Sequence, residues 1–147
     1  MARFPTTMSD PFDDLFGDSP ALHTLKQRAR RVAATNLPTL LRGETGTGKE
    51  VLARCLHRAS HRVGLFVPVD CAAMVGGIVQ SELFGHTKGA FTGASRPREG
   101  LVHAAQRGTL FLDEIAELSP EMQSRLLRLL ENGTYRPVGA DTERVAD

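Results

Sequence analysis

The feature that most constrains this chain is the run Gly43-Glu44-Thr45-Gly46-Thr47-Gly48-Lys49-Glu50. It lies between a short apolar stretch, Pro38–Leu41, and a segment in which Val51, Leu52, Cys55 and Leu56 recur at the spacing of one helical face. Glycines so placed let the backbone close with its N–H groups turned inward, and a helix starting at once behind them adds the positive end of its dipole. Strand, glycine-rich turn and helix in that order form a cradle for phosphate oxygens, with Lys49 reaching the β- and γ-phosphates. One position departs from the general pattern. Glu50 stands where a Ser or Thr hydroxyl would touch a magnesium ion, so the metal must rely on other oxygens. Taken alone, the run also fits a glycine-rich turn carrying a surface lysine.

Further along comes Gly108-Thr109-Leu110-Phe111-Leu112-Asp113-Glu114, an apolar run that ends in two acids. A buried strand closing on carboxylates suits a Walker B site, in which Asp113 holds Mg2+ directly or through water and Glu114 orients and deprotonates the attacking water. Alone, it also reads as a strand followed by an acidic helix cap. Phe66–Val69 reads as another strand, and Leu110–Leu112 is apolar enough to be buried on both faces. Helical spacing of Leu22, Leu25, Ala29, Val32 and Ala33 predicts a first helix from Pro20 to Ala34. Ser119-Pro120-Glu121 and Asn132-Gly133 mark the start and stop of a later one. Strands alternating with helices predict a parallel α/β sheet. Residues 1–14 carry two prolines and no periodicity, which predicts a flexible arm ahead of a domain over 15–147 that begins at Leu15-Phe16-Gly17.

Composition narrows the functional classes. With 147 residues there is room for one domain or part of one, and 41% hydrophobic with 24% charged residues is a globular balance. Lys and Arg (18) nearly match Asp and Glu (17), so no net basic field is available to draw nucleic acid, and no DNA-binding element is expected here. The two cysteines, Cys55 and Cys71, form no metal or disulfide pattern, and Cys55 falls on the apolar helical face. A reduced, cytoplasmic protein without a membrane span is the expectation.

Between the two acidic and glycine-rich motifs lies Glu82-Leu83-Phe84-Gly85-His86-Thr87-Lys88-Gly89-Ala90-Phe91-Thr92-Gly93-Ala94. Nucleotide chemistry gives no reason for Gly-Ala-Phe-Thr-Gly-Ala. GAFTGA, together with GETGTGKE and GTLFLDEI in this order, resembles the AAA+ domain of bacterial enhancer-binding proteins, the ATPases that remodel the sigma-54 form of RNA polymerase. Glu50 matches that family too. The resemblance implies an α/β P-loop NTPase (AAA+) fold with a three-layer parallel sheet. It also implies an incomplete one, because the family's later strands, its arginine-finger segment, its lid and its helix-turn-helix would follow Asp147. With the intervening strand missing, the strands at Pro38–Leu41 and Leu110–Leu112 would both lack ladder partners.

As function, the resemblance implies ATP and Mg2+ as cofactors, a homo-oligomeric ring (hexamer or heptamer) in the complete family, and the sigma-54 RNA polymerase holoenzyme as partner. Gly89, Ala90, Phe91, Thr92, Gly93 and Ala94 would meet sigma-54, with Phe91 and Thr92 as contacting side chains. From the residues themselves, Gly89 and Gly93 give the loop backbone freedom, and Phe91 is an apolar anchor on a polar tip. Another AAA+ remodelling ATPase and a non-hydrolysing module that binds nucleotide or sigma-54 remain open at this point. So does activity of the fragment alone, which lacks the finger.

Asp70 departs from the family, which usually has Asn there to hold the Walker B glutamate away from water. An ionised Asp accepts hydrogen bonds and cannot donate one to Glu114. Either the two share a proton, or this switch is absent, or Asp70 is a solvated residue at a strand end. His57 and His61 lie four apart on the second helix, without a second ligand pair of metal-binding spacing. Arg125 and Arg128 fall on the polar side of the helix that carries Met122, Leu126, Leu129 and Leu130.

Overall fold

Ser19 starts the first helix by accepting the Leu22 N–H at 3.2 Å, and Pro20 fills a first-turn position whose missing N–H costs nothing. This helix, α1 (Pro20–Ala33), ends with Arg30 and Arg31 in its last turn, where the dipole favours cations. The computed structural model describes residues 10–74 and 78–147. The chain falls into two units, Met1–His61 and Arg62–Asp147, each with its own apolar cluster.

In the first unit, α1 is followed by α2 (Lys49–Ala59), and the cluster consists of Phe12, Ala29, Leu52 and Cys55 with Leu15, Leu41, Leu56 and Ala59 against it. Burial of Phe12 corrects the expected arm. Its ring is 1% exposed and lies 5.2 Å from the Arg30 guanidinium, while Asp10 pairs with Arg30 and Asp14 with Arg58. Residues 10–14 are therefore anchored by the Phe12 ring and these two ion pairs; the rest of the expected arm, 1–9, lies outside the described residues. The Phe12 N–H and then Arg30 hold the Asp10 carboxyl below its ordinary range. Pro38–Leu41 also departs from expectation: it forms no strand, and Leu37 and Leu40 are exposed. A strand exists only through ladder bonds to a neighbour, and no described segment supplies them. Val51 is exposed as well, so the apolar face of α2 is narrower than its spacing suggests.

The second unit is built on β1 (Phe66–Asp70) and β2 (Thr109–Asp113), which pair in parallel from Phe66 opposite Thr109 to Asp70 opposite Asp113. Every residue of β2 is partly exposed, so the expected burial on both faces does not hold. With β1 as its only paired neighbour among the described residues, β2 is an edge strand. Helices α3 (Ile78–Phe84), α4 (Leu101–Ala104) and α5 (Pro120–Asn132) complete the framework. Ser119 accepts the Met122 N–H at the start of α5, and Gly133, at φ 64°, donates to the Leu129 carbonyl at its end. Val69, Cys71, Leu83, Phe84, Val102, Met122 and Leu126 are buried in the core, each large aliphatic or aromatic side chain contributing roughly 1.5–3 kcal/mol. Leu129 packs against them, whereas Leu127 and Leu130 are exposed. A two-residue antiparallel pair, β3 (Thr134–Tyr135) with β4 (Arg144–Val145), brings the last residues back, where Arg62 pairs with Asp147.

Candidate functional site

The glycine-rich loop leads straight into α2. Gly48 precedes the helix at φ 86°, a left-handed conformation that a side chain would strain, and no side chain caps the first-turn amides. A Cβ on Gly46 or Gly48 would meet nothing within 4 Å, so the space beside both glycines is open. Thr47 closes the turn from below, its N–H and Oγ1 both donating to the Glu44 carbonyl, the latter at 2.7 Å. Lys49 Nζ donates to the carbonyls of Gly43 (3.2 Å) and Glu44 (3.1 Å), which carries the ammonium back across the loop. Glu50 turns the other way and accepts from Arg54 Nη2 at 2.6 Å. A glycine-rich turn, a helix N-terminus with no side-chain cap and one cation suit a polyphosphate.

In the second unit, β2 delivers Asp113 and Glu114. Asp113 Oδ1 accepts the Glu114 N–H at 3.0 Å, a bond that restrains the carboxylate's rotation. A hard cation takes oxygen donors of this kind, so Asp113 fits a magnesium ligand, direct or through water. Glu114 stands at φ 49°, ψ 44°, left-handed for a residue with a Cβ, and its carbonyl accepts the Glu117 N–H. The short 3-10 turn Ile115–Glu117 thus breaks from the strand abruptly at the second acid. Asp70, across the ladder from Asp113, has its Oδ1 on the N–H groups of Ala72 (2.9 Å) and Ala73 (3.4 Å). Its carboxylate therefore serves the turn after β1. Next to it the Cys71 thiol is pushed up to about 11, first by burial and then by the Asp70 and Asp113 charges. Such a thiol is a poor nucleophile.

The GAFTGA segment is a loop with a pinned base. His86 and Arg98 exchange two backbone bonds (2.9 and 3.0 Å), and the Thr87 N–H donates to Val138 at 3.0 Å. Within it, the Gly89 N–H reaches the Ala94 carbonyl at 2.8 Å and the Ala94 N–H reaches Phe91. Gly93, at φ 100°, is where the backbone needs glycine. Phe91 is 46% exposed and Thr92 and Gly93 are exposed, while Ala94 is buried at the base. Phe91 rests partly on the ring of His86, with centroids 5.0 Å apart.

Sequence reasoning passed over His86 and Ser81, whose pairing depends on the fold, and over α3. The spacing of Val79, Leu83 and Phe84 is the signal that could have revealed that helix. His57 lies on α2, where burial pushes its pKa down. No group of three or more His, Cys, Asp or Glu side chains placed for a metal occurs among the described residues.

A glycine-rich loop feeding an open helix N-terminus, together with a parallel strand that ends in paired acids, defines a P-loop α/β domain of the AAA+ class. Within that class the chain belongs to the sigma-54 interaction domain family, which matches residues 15–147. A Nif-specific regulatory protein of Rhodobacter capsulatus is 52% identical over 128 residues, covering 86% of this chain and 22% of the relative. Another, from Rhizobium leguminosarum bv. trifolii, is 48% identical over 136 residues, covering 92% of this chain and 38% of the relative. The chain thus spans only a minor part of these curated relatives. NtrX from Brucella abortus in complex with ATP superposes with a TM-score of 0.78 at 34% identity, over 90% of this chain and 28% of that one. The same protein in complex with ADP gives 0.80, with 29% of it covered. No helix among the described residues is long and apolar enough to cross a membrane.

Proposed function

We propose that this chain is the ATP-binding part of a cytoplasmic, sigma-54-dependent transcriptional regulator, in which ATP hydrolysis drives remodelling of the sigma-54 RNA polymerase holoenzyme. The observation that carries the reading is the Gly43–Glu50 loop, with its uncapped helix start and the Lys49 ammonium drawn across it. Amides at the uncapped start of α2 receive phosphate oxygens, and Lys49 exchanges its bonds to the Gly43 and Glu44 carbonyls for the β- and γ-phosphates. Asp113 would hold magnesium, directly or through water. When bound, that ion supplies positive charge to the phosphates. Glu114 orients the attacking water and accepts its proton. Gly89–Ala94 is the segment offered to sigma-54, with Phe91 and Thr92 at its exposed tip. Assembly into a hexameric or heptameric ring, which brings a neighbour's arginine to the phosphate, belongs to the complete protein.

The test is a calorimetric titration of ATP and of ADP with Mg2+ into the chain and into its Lys49→Ala variant. The wild-type chain should bind both nucleotides, and the variant at least about tenfold more weakly, since a charge-assisted bond to a phosphate is worth roughly 1.5–3 kcal/mol. Equal affinities would remove the loop from the site.

A further inference from the structure

His86 links the exposed tip of the GAFTGA loop to a buried hydroxyl. That hydroxyl belongs to Ser81 of α3, 4% exposed, whose Oγ lies 2.6 Å from His86 Nδ1. On the other side of the ring, His86 Nε2 lies 3.0 Å from the Arg96 carbonyl oxygen. A carbonyl only accepts, so Nε2 carries a proton, while Nδ1 pairs with the Ser81 hydroxyl. Both nitrogens are thereby committed, one to the helix before the loop and one to the loop's returning arm. The His86 backbone is held as well, through its double bond to Arg98. A ring so fixed cannot swing, and Phe91 meets it edge-on, with centroids 5.0 Å apart and planes at 64°. This is the favourable geometry for two aromatic rings.

We propose that His86 is a positioning residue, the seat on which Phe91 rests when the loop lies down, and that Ser81 and the Arg96 carbonyl hold the seat in place. Phe91 must leave His86 before its whole ring can enter a partner's surface. The strength of this one contact therefore sets how often the anchor is presented. An edge-on aromatic pair changes such a population by about 2- to 12-fold. The inference deepens the reading that this loop meets sigma-54, and the contacts that make the seat lie wholly within the chain.

The sequence has no tryptophan, so Phe91→Trp creates a single fluorescent reporter at the seat. In the full chain carrying this reporter, His86→Ala should raise acrylamide quenching at least about twofold and shift emission to the red. Ser81→Ala should produce a smaller change in the same direction, and His86→Phe, which restores a ring, should recover part of the protection. A merely structural His86 would change the melting temperature and leave the quenching of the folded protein unmoved, which would overturn the seat. Should His86→Ala fail to fold, the reciprocal measurement decides: Phe91 is exposed, so Phe91→Leu keeps the fold, and NMR signals of the His86 ring protons should move as the ring current is lost. Unmoved His86 signals would overturn the proposal equally. Neither measurement uses nucleotide or sigma-54. Failure of the seat thus leaves the partner reading standing, whereas intact seat signals in a chain that captures no sigma-54 would support the seat and count against the partner.

Discussion

Replacing Glu114 separates the stability of the second unit from its proposed chemistry. The residue sits at φ 49°, ψ 44°, which costs a residue with a Cβ about 1–2 kcal/mol. Glutamine keeps the length and the strain, so Glu114→Gln is the reference. Glu114→Gly relieves the strain but gives the unfolded chain back about 0.5–1 kcal/mol of entropy, for a net gain near 0.5–1. Glu114→Val adds a β-branch where positive φ tolerates it least and should lose about 1 kcal/mol. From Gly to Val the span is near 2 kcal/mol, or about 4–8 °C in melting temperature for a chain of this size. Thermal unfolding followed by far-ultraviolet circular dichroism would read it, with urea melts to check that the slope is unchanged. In the complete protein all three variants should lose turnover by roughly 10²–10⁴. Melting in the order Gly, Gln, Val, with Gly highest, is the expected result. A flat or reversed series would refute the claim that strain is held at the proposed base.

Cys71 makes the fold sensitive to alkali. Its thiol ionises near 9.0 when unfolded and at about 11 when folded, so above pH 9 the unfolded state gives up the proton first, and stability falls between pH 9 and 11, by about 1–2 kcal/mol with solvent screening allowed for. Urea melts at pH 8 and 10.5 should show this loss and Cys71→Ala should abolish it; an unchanged difference in the variant would assign the alkaline loss elsewhere. Asp70→Asn keeps an Oδ1 acceptor for the Ala72 and Ala73 amides, so melting should move by no more than about 2 °C, while the pH–rate profile of the complete protein changes if residue 70 acts on Glu114. Superimposable profiles would make Asp70 a turn residue and nothing more. Thr92→Ala, at the exposed loop tip, should leave hydrolysis in the complete protein within about twofold and abolish transcription activation. Equal loss of both activities would argue against a loop devoted to the partner.

What the sequence determined by itself is local. Ser19 with Pro20 starts α1, Ser119 with Pro120 starts α5 and Gly133 stops it, because each signal acts on backbone groups within one helical turn. The glycine-rich loop and the strand ending in Asp113 are legible for the same reason, since their residues are neighbours along the chain. Tertiary structure decided the rest. Pro38–Leu41 has the composition of a strand and is none, and β2 has the composition of a buried strand and is partly exposed, because ladder partners and covering layers are supplied by distant segments. Phe12 looked like part of an arm until Ala29, Leu52 and Cys55 converged on it from two helices. The left-handed backbone of Glu114 and the fixed ring of His86 were invisible in the sequence, for neither residue type announces them. The first is set by the abrupt turn after β2, and the second by Ser81 and Arg96, which only the fold brings to opposite sides of the ring.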